Sequence, residues 1–239
     1  LAYQFYTSTV VNIIDETPTT KRFYIKLPET VDFQFKAGQF VMLDMPINHK
    51  HTTRSYSIAS APNNENIIEL IIVIKEQGSG TTYLFSDVKV GSTIQVSQAL
   101  GKLFLPEVLT EDICFICTGT GVAPFRSQIF DIFQKNIPHQ NVYLVFGNRT
   151  QQDILYRKEF EELAKKESSF HFIPVLSRET PESWGGKIGY VHEVYKDLFS
   201  DVRPAWFYIC GWQLMLREAR QNLETMGYDR KRIRFEAFD

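Results

Sequence analysis

Ile113-Cys114-Phe115-Ile116-Cys117-Thr118-Gly119-Thr120-Gly121-Val122-Ala123-Pro124 decides the fold of the second half of the chain. Its first five residues form a short apolar run, which reads as a buried strand. Two glycines follow at once, and helical spacing then runs over Ala123 to Gln134. Glycines here let the backbone approach a ligand closely. The start of the helix offers free N–H groups and a positive dipole end to a pyrophosphate. Pro124 fits the first helical turn, where its missing N–H costs nothing. An ordinary tight strand–helix turn has the same appearance, so both readings are open on these residues alone.

Downstream, strand and helix continue to alternate. Val142 to Phe146, Phe170 to Leu176, Ala205 to Cys210 and Ile233 to Glu236 read as strands, and Tyr156 to Lys166 and Gln213 to Met226 as helices. This alternation predicts an α/β doubly wound parallel sheet. Upstream the pattern is different. Phe5 to Ile14, Arg22 to Leu27, Gln39 to Met45, Tyr56 to Ala59, Ile67 to Ile74 and Thr93 to Gln98 read as short strands separated by Gly and Pro. They predict an antiparallel β-barrel, with one short helix near Thr81 to Ser86. Pro106 interrupts regular structure, which places the boundary between domains of residues 1–105 and 106–239.

Composition narrows the function. The 239 residues are 44% hydrophobic and 14% aromatic, enough for a sizeable core. Lys and Arg number 26 against 28 Asp and Glu, so no global basic field points to nucleic acid. No apolar run approaches the roughly 20 residues of a membrane helix. Three cysteines suit a reducing cytoplasm better than a disulfide scaffold. Cys114 and Cys117 would face opposite sides of their strand. Without a second Cys pair they supply neither a zinc site nor an iron–sulfur cluster, and no metal is expected.

Further segments carry chemistry. Arg54-Ser55-Tyr56-Ser57 opens a predicted barrel strand, and alone it says little. Gly78-Ser79-Gly80-Thr81 follows a strand and could cradle phosphate at a helix start, or be a plain glycine turn. Cys210-Gly211 ends a strand, where open α/β sheets bind ligands. Arg149, Arg178 and Lys187 follow strands at that same edge, as cations that could meet an anion or, for the two arginines, as solvated loop residues or partners of Asp153 and Glu179.

Taken in order, these segments resemble the ferredoxin–NADP(+) reductase superfamily. Arg54-Ser55-Tyr56-Ser57 is similar to its R-x-Y-[ST] motif. Gly78, Thr81 and Leu84 are similar to its G-x-x-[ST]-x-x-L motif. Gly119 to Pro124 resembles G-T-G-[VIT]-A-P, Cys210-Gly211 its C-G motif, and Glu236-Ala237-Phe238 its terminal E-x-[aromatic]. The resemblance covers nearly the whole chain. It implies FAD in the barrel and NADP, or NAD, in the second domain. Tyr56 would stack on the flavin, with Ser57 near its N5. Arg54, Ser79, Gly80 and Thr81 would hold its pyrophosphate, Ser55 would be a further cofactor-binding residue, and Val73, Ile74 and Lys75 would run along the flavin. Thr118, Gly119, Thr120, Gly121, Pro124 and Gly211 would hold the dinucleotide. Cys210 and Glu236 would line the hydride-transfer site, and Phe238 would cover the flavin. The implied activity is reduction of a carrier such as ferredoxin or flavodoxin by a cytoplasmic monomer, with NADPH as donor. Leu176-Ser177-Arg178, Trp184 and Gly189-Tyr190-Val191 also resemble the NADH-dependent reductase components of oxygenases. A non-catalytic flavin-binding subunit is a further alternative.

Overall fold

The computed structural model describes residues 3–47, 50–63 and 65–238, except the side chain of Phe238. The chain forms two compact units. One takes the residues up to Phe104 with Ala123–Asp131, the other Leu105–Val122 and Ile132 onward.

In the first unit, β1 (Phe5–Thr17), β2 (Thr20–Lys26), β3 (Phe40–Ile47), β4 (Lys50–Ser57), β5 (Ile67–Val73) and β6 (Thr93–Ser97) form an antiparallel sheet ordered β4-β3-β6-β1-β2-β5. Ile58, just beyond β4, bridges Leu70 in β5, and Ala59 N–H donates to the Glu69 carbonyl at 2.8 Å. These contacts join the two ends of the strand order and close the sheet into a barrel. Phe23 and Ile25 of β2, and Val41, Leu43 and Met45 of β3, point inward at every second position. The helix α1 (Ser79–Ser86) packs Leu84 onto this core.

One expectation needs correction. The strand expected over Tyr56 to Ala59 is β4, which runs earlier, over Lys50–Ser57. Arg54 to Ser57 therefore closes a strand instead of opening one. Lys50-His51-Thr52-Thr53 is polar and largely exposed, without the alternation that marks a strand. Its pairing with β3, from Phe40↔Ser57 to Ile47↔Lys50, makes it one.

In the second unit, β7 (Asp112–Thr118), β8 (Val142–Asn148), β9 (Phe170–Leu176), β10 (Lys187–Ile188), β11 (Ala205–Trp212) and β12 (Ile233–Phe238) form a parallel sheet ordered β10-β9-β8-β7-β11-β12. The helix α2 (Ala123–Gln134) follows β7, α3 (Arg157–Lys166) follows β8, α4 (Val191–Leu198) precedes β11, and α5 (Gln213–Thr225) follows it. β10 and α4 were not anticipated. β10 has two exposed residues, and α4 is short, with buried Val191, His192, Val194 and Tyr195. The α4 and α5 side chains share a core with Cys114, Ile116, Phe207 and Ile209. Among the described residues no helix is long and apolar enough to cross a membrane.

Candidate functional site

Strand order locates the site of the second unit. The chain runs outward from β7 through β8 and β9 to β10, then returns to place β11 on the other side of β7. Between β7 and β11 lies the switch point, where open α/β sheets bind ligands at the carboxyl ends of their strands. At these ends stand Thr118-Gly119-Thr120-Gly121, in which β7 closes and a 3-10 turn begins, and Cys210-Gly211, which with Trp212 closes β11.

They pack backbone against backbone. A Cβ on Gly121 would stand 2.5 Å from the Cys210 carbonyl oxygen, and one on Gly211 would stand 2.5 Å from Thr118 Oγ1. Gly211 has φ +137°, which a side chain would strain further. Gly119, at φ +52°, has no atom within 4 Å of where its Cβ would lie. One glycine is therefore needed by the fold, while the other faces open space. Pro124 is buried in the first turn of α2.

In-register pairing sets Cys117, Cys210 and Glu236 side by side across β7, β11 and β12. Cys210 is fully buried. Burial, the nearby Glu236 carboxylate and the Cys117 thiol push its thiol well above the ordinary range, against a hydrogen bond from Gly211. Cys210 is thus a neutral packing surface beside Glu236, not a nucleophile. Phe238 ends β12, and its side chain lies outside the described part.

Arg149 and Arg178 are exposed just beyond the carboxyl ends of β8 and β9, and exposed Lys187 opens β10, paired with Val175 of β9. Arg178 N–H donates to the Arg149 carbonyl at 2.9 Å, tying the two loops together. The nearby carboxylates are occupied elsewhere. Asp153 accepts from Thr150, and Glu179 accepts from Gln151 N–H and Ser183 Oγ. Among the described residues none of the three cations has an ion-pair partner. Three uncompensated charges carried by neighbouring strands and their loops are suited to an anion.

The first unit brings together the expected phosphate-binding parts. A Cβ on Gly80, at the start of α1, would lie 3.4 Å from Arg54 Cγ, so the arginine stem runs beside the helix start. Gly78 caps α1 without a side chain, leaving N–H groups there for a ligand. Thr81 Oγ1 accepts from Lys75 N–H at 3.0 Å and donates to the Gly78 carbonyl. Its hydroxyl thus locks the loop onto the end of β5. Arg54 and Ser55 are exposed, as are Val73, Ile74, Lys75 and Ser79. Tyr56 is half-buried, and burial pushes its phenol up to about 12 against the pull of Arg54. Ser57 is buried.

Sequence reasoning missed Glu69, Arg126 and Ser127. Arg126 NH1 donates to Glu69 Oε2 at 3.1 Å and to the Ala59 carbonyl at 2.8 Å, and Ser127 Oγ donates to the Ser60 carbonyl at 2.7 Å. The available signal was Glu69 itself, a carboxylate within the apolar run Ile67-Ile68-Glu69-Leu70-Ile71-Ile72, because a buried charge needs a partner. Among the described residues no group of three or more His, Cys, Asp or Glu could hold a metal ion.

Residues 7–104 match a family model described as the oxidoreductase FAD-binding domain, and residues 115–221 one described as the oxidoreductase NAD-binding domain. The chain is 33% identical over 215 residues to ferredoxin–NADP reductase B of Sorangium cellulosum, covering 87% of this chain and 86% of that protein. It is 31% identical over 237 residues to the phenol hydroxylase P5 protein of Acinetobacter pittii, covering 98% of this chain and 66% of that relative. It therefore spans a little under two thirds of that longer protein. Among solved structures, a ferredoxin NADP+ reductase from Neisseria gonorrhoeae with bound FAD and NADP superimposes with a TM-score of 0.84. That pair is 27% identical, and 98% of each chain is covered.

Proposed function

Since the chain belongs to the family of FAD- and NAD(P)-binding reductases that includes the ferredoxin–NADP(+) reductases, we propose that it oxidises NADPH and passes the electrons singly to a carrier protein. FAD, when bound, takes up two electrons as a hydride and gives them out one at a time, which no side chain can do. The observation that carries the reading is the pair of glycine-bearing strand ends at the β7–β11 switch point. There Gly121 permits a backbone contact and Gly119 borders the open space a pyrophosphate needs.

The chain's own residues position and tune. Arg54 and the N–H groups of Ser79, Gly80 and Thr81 hold the flavin pyrophosphate, and Ser55 adds a hydroxyl. Tyr56 offers a neutral ring face, and the backbone of Val73, Ile74 and Lys75 lines the flavin edge. Thr118, Gly119, Thr120, Gly121 and Pro124 hold the dinucleotide pyrophosphate. Cys210 and Gly211 shape the floor under the nicotinamide. Ser57 and Glu236 would relay the proton that flavin N5 releases as the two electrons leave singly. Arg149, Arg178 and Lys187 take the 2′-phosphate, and their uncompensated charge favours NADPH.

A ferredoxin or flavodoxin is the acceptor this reading assigns, supported by the name of the Sorangium relative. The phenol hydroxylase relative supports a second reading, in which NADH is the donor and an oxygenase the acceptor. Free, buried thiols suit a cytoplasmic protein, and we assign a monomer that works with a separate carrier. Mass spectrometry of the flavin released from purified protein tests the cofactor assignment. FAD is expected, and FMN alone would contradict it.

A further inference from the structure

Glu69 is the one charged residue in β5, and its side chain is only 4% exposed. Arg22 donates to its Oε1 at 2.6 Å, and Arg126 donates to its Oε2 at 3.1 Å. Glu16 lies 3.5 Å from Arg22, so two guanidinium groups face two carboxylates. Charge balance alone does not account for the arrangement. The nitrogen of Arg126 that meets Glu69 also donates to the Ala59 carbonyl at 2.8 Å. Its neighbour Ser127 donates to the Ser60 carbonyl at 2.7 Å. From the other side, Ala59 N–H donates to the Glu69 carbonyl, and Ser60 Oγ accepts from Glu69 N–H at 3.1 Å. Ala59 and Ser60 are thus gripped by β5 and by α2 at once, entirely within the first unit. Ser57, two residues before this grip, closes β4 and is buried.

We propose that Arg126 is a positioning residue: by holding the Ala59 carbonyl against Glu69 it fixes the segment from Ser57 to Ser60, and so the place of the Ser57 hydroxyl relative to bound flavin. The proposal rests on the flavin-reductase reading. Arg126 itself touches neither flavin nor dinucleotide in this scheme. One terminal nitrogen of Arg126 serves both the carboxylate and the carbonyl, and the rigid guanidinium plane fixes the angle between its two N–H bonds, which a freely rotating ammonium does not.

Arg126→Met and Arg126→Lys test it. In Arg126→Met, flavin content should stay close to that of the unaltered protein. The rate of flavin reduction by NADPH should fall about tenfold or more with KM for NADPH unchanged, the usual scale for a misplaced reacting group. The visible circular dichroism of the bound flavin should change, and amide exchange should rise over residues 57–60 while the second unit keeps its protection. Arg126→Lys should recover part of the rate. Adding Ser57→Ala to Arg126→Met should cost little more, because both changes act through one hydroxyl. If Arg126→Met does not fold, the rate and exchange of Arg126→Lys decide. Wild-type rate per bound flavin with wild-type exchange over residues 57–60 would overturn the proposal, whatever happened to thermal stability. A wild-type protein with no flavin would instead sink the functional reading, and exchange over residues 57–60 would still report whether Arg126 holds the segment.

Discussion

At the scale of single residues, Cys210 is the clearest case of environment deciding role. Its thiol is fully buried and held neutral, so it is not a nucleophile, and the proposed function gives it only the shaping of the nicotinamide floor. Cys210→Ala is expected to slow flavin reduction in stopped flow more than it lowers flavin content, at a stability cost of about 1 kcal/mol. A wild-type rate with lowered stability would make Cys210 a packing residue only. Burial pushes the thiol pKa values of Cys114 and Cys117 up in the same way, so both stay protonated. The sign of the linkage follows. As pH rises, the unfolded chain releases these thiol protons first while the folded chain keeps them. Stability is therefore full below the ordinary thiol range and declines as pH climbs through and beyond it. Urea midpoints measured from neutral to alkaline pH should fall, and a flat profile would show that the thiols do not control alkaline stability. Little of this was legible one residue at a time. Arg54 and Tyr56 gained meaning from the order of motifs along the chain, and Arg126 reads in sequence as an ordinary polar helix position. Its two partners lie 57 and 67 residues away, beyond the reach of local pattern.

At the scale of elements, the loop after β7 separates fold from ligand. Gly121→Ala would push a methyl into the Cys210 carbonyl, backbone against backbone, so the β7–β11 contact must open. It should cost about 1–3 kcal/mol, the usual cost of forcing extra atoms into a packed site. Gly119→Ala meets no atom, so it should cost only about 1 kcal/mol for its left-handed backbone. It should nevertheless weaken NADPH binding strongly, because its methyl enters the space reserved for the pyrophosphate. Thermal midpoints and NADPH titrations on both variants separate the two effects, and equal stability losses would contradict the division. The edge formed by β8, β9 and β10 makes a second prediction. Arg178→Ala should cost about tenfold or more in kcat/KM for NADPH and spare NADH, since a desolvated charge-assisted bond is worth about 1.5–3 kcal/mol. An equal loss with both dinucleotides would remove Arg178 from the 2′-phosphate site. The long alternating elements were legible because their hydrophobic period is strong. β4 was misplaced because Lys50 to Thr53 is polar and becomes a strand only through its partner β3. β10 escaped notice because two exposed residues carry no period.

At the scale of the whole molecule, the sequence divides into a barrel-forming half and an alternating half, and the structure contains one antiparallel and one parallel sheet. What sequence could not show is that Ala123–Asp131, the helical continuation of the nucleotide loop, clusters with the barrel residues. Local pattern marks a helix, but not the unit on which its side chains find partners. The central claim of the proposed function is that the chain passes hydride from a nicotinamide dinucleotide to a bound flavin. Anaerobic mixing of the purified, flavin-loaded protein with NADPH and, separately, NADH tests it most directly. The expected result is rapid loss of the oxidised flavin's visible absorbance, faster with NADPH, and its return when an oxidised one-electron carrier is added. Flavin that stays oxidised with both dinucleotides would contradict the claim.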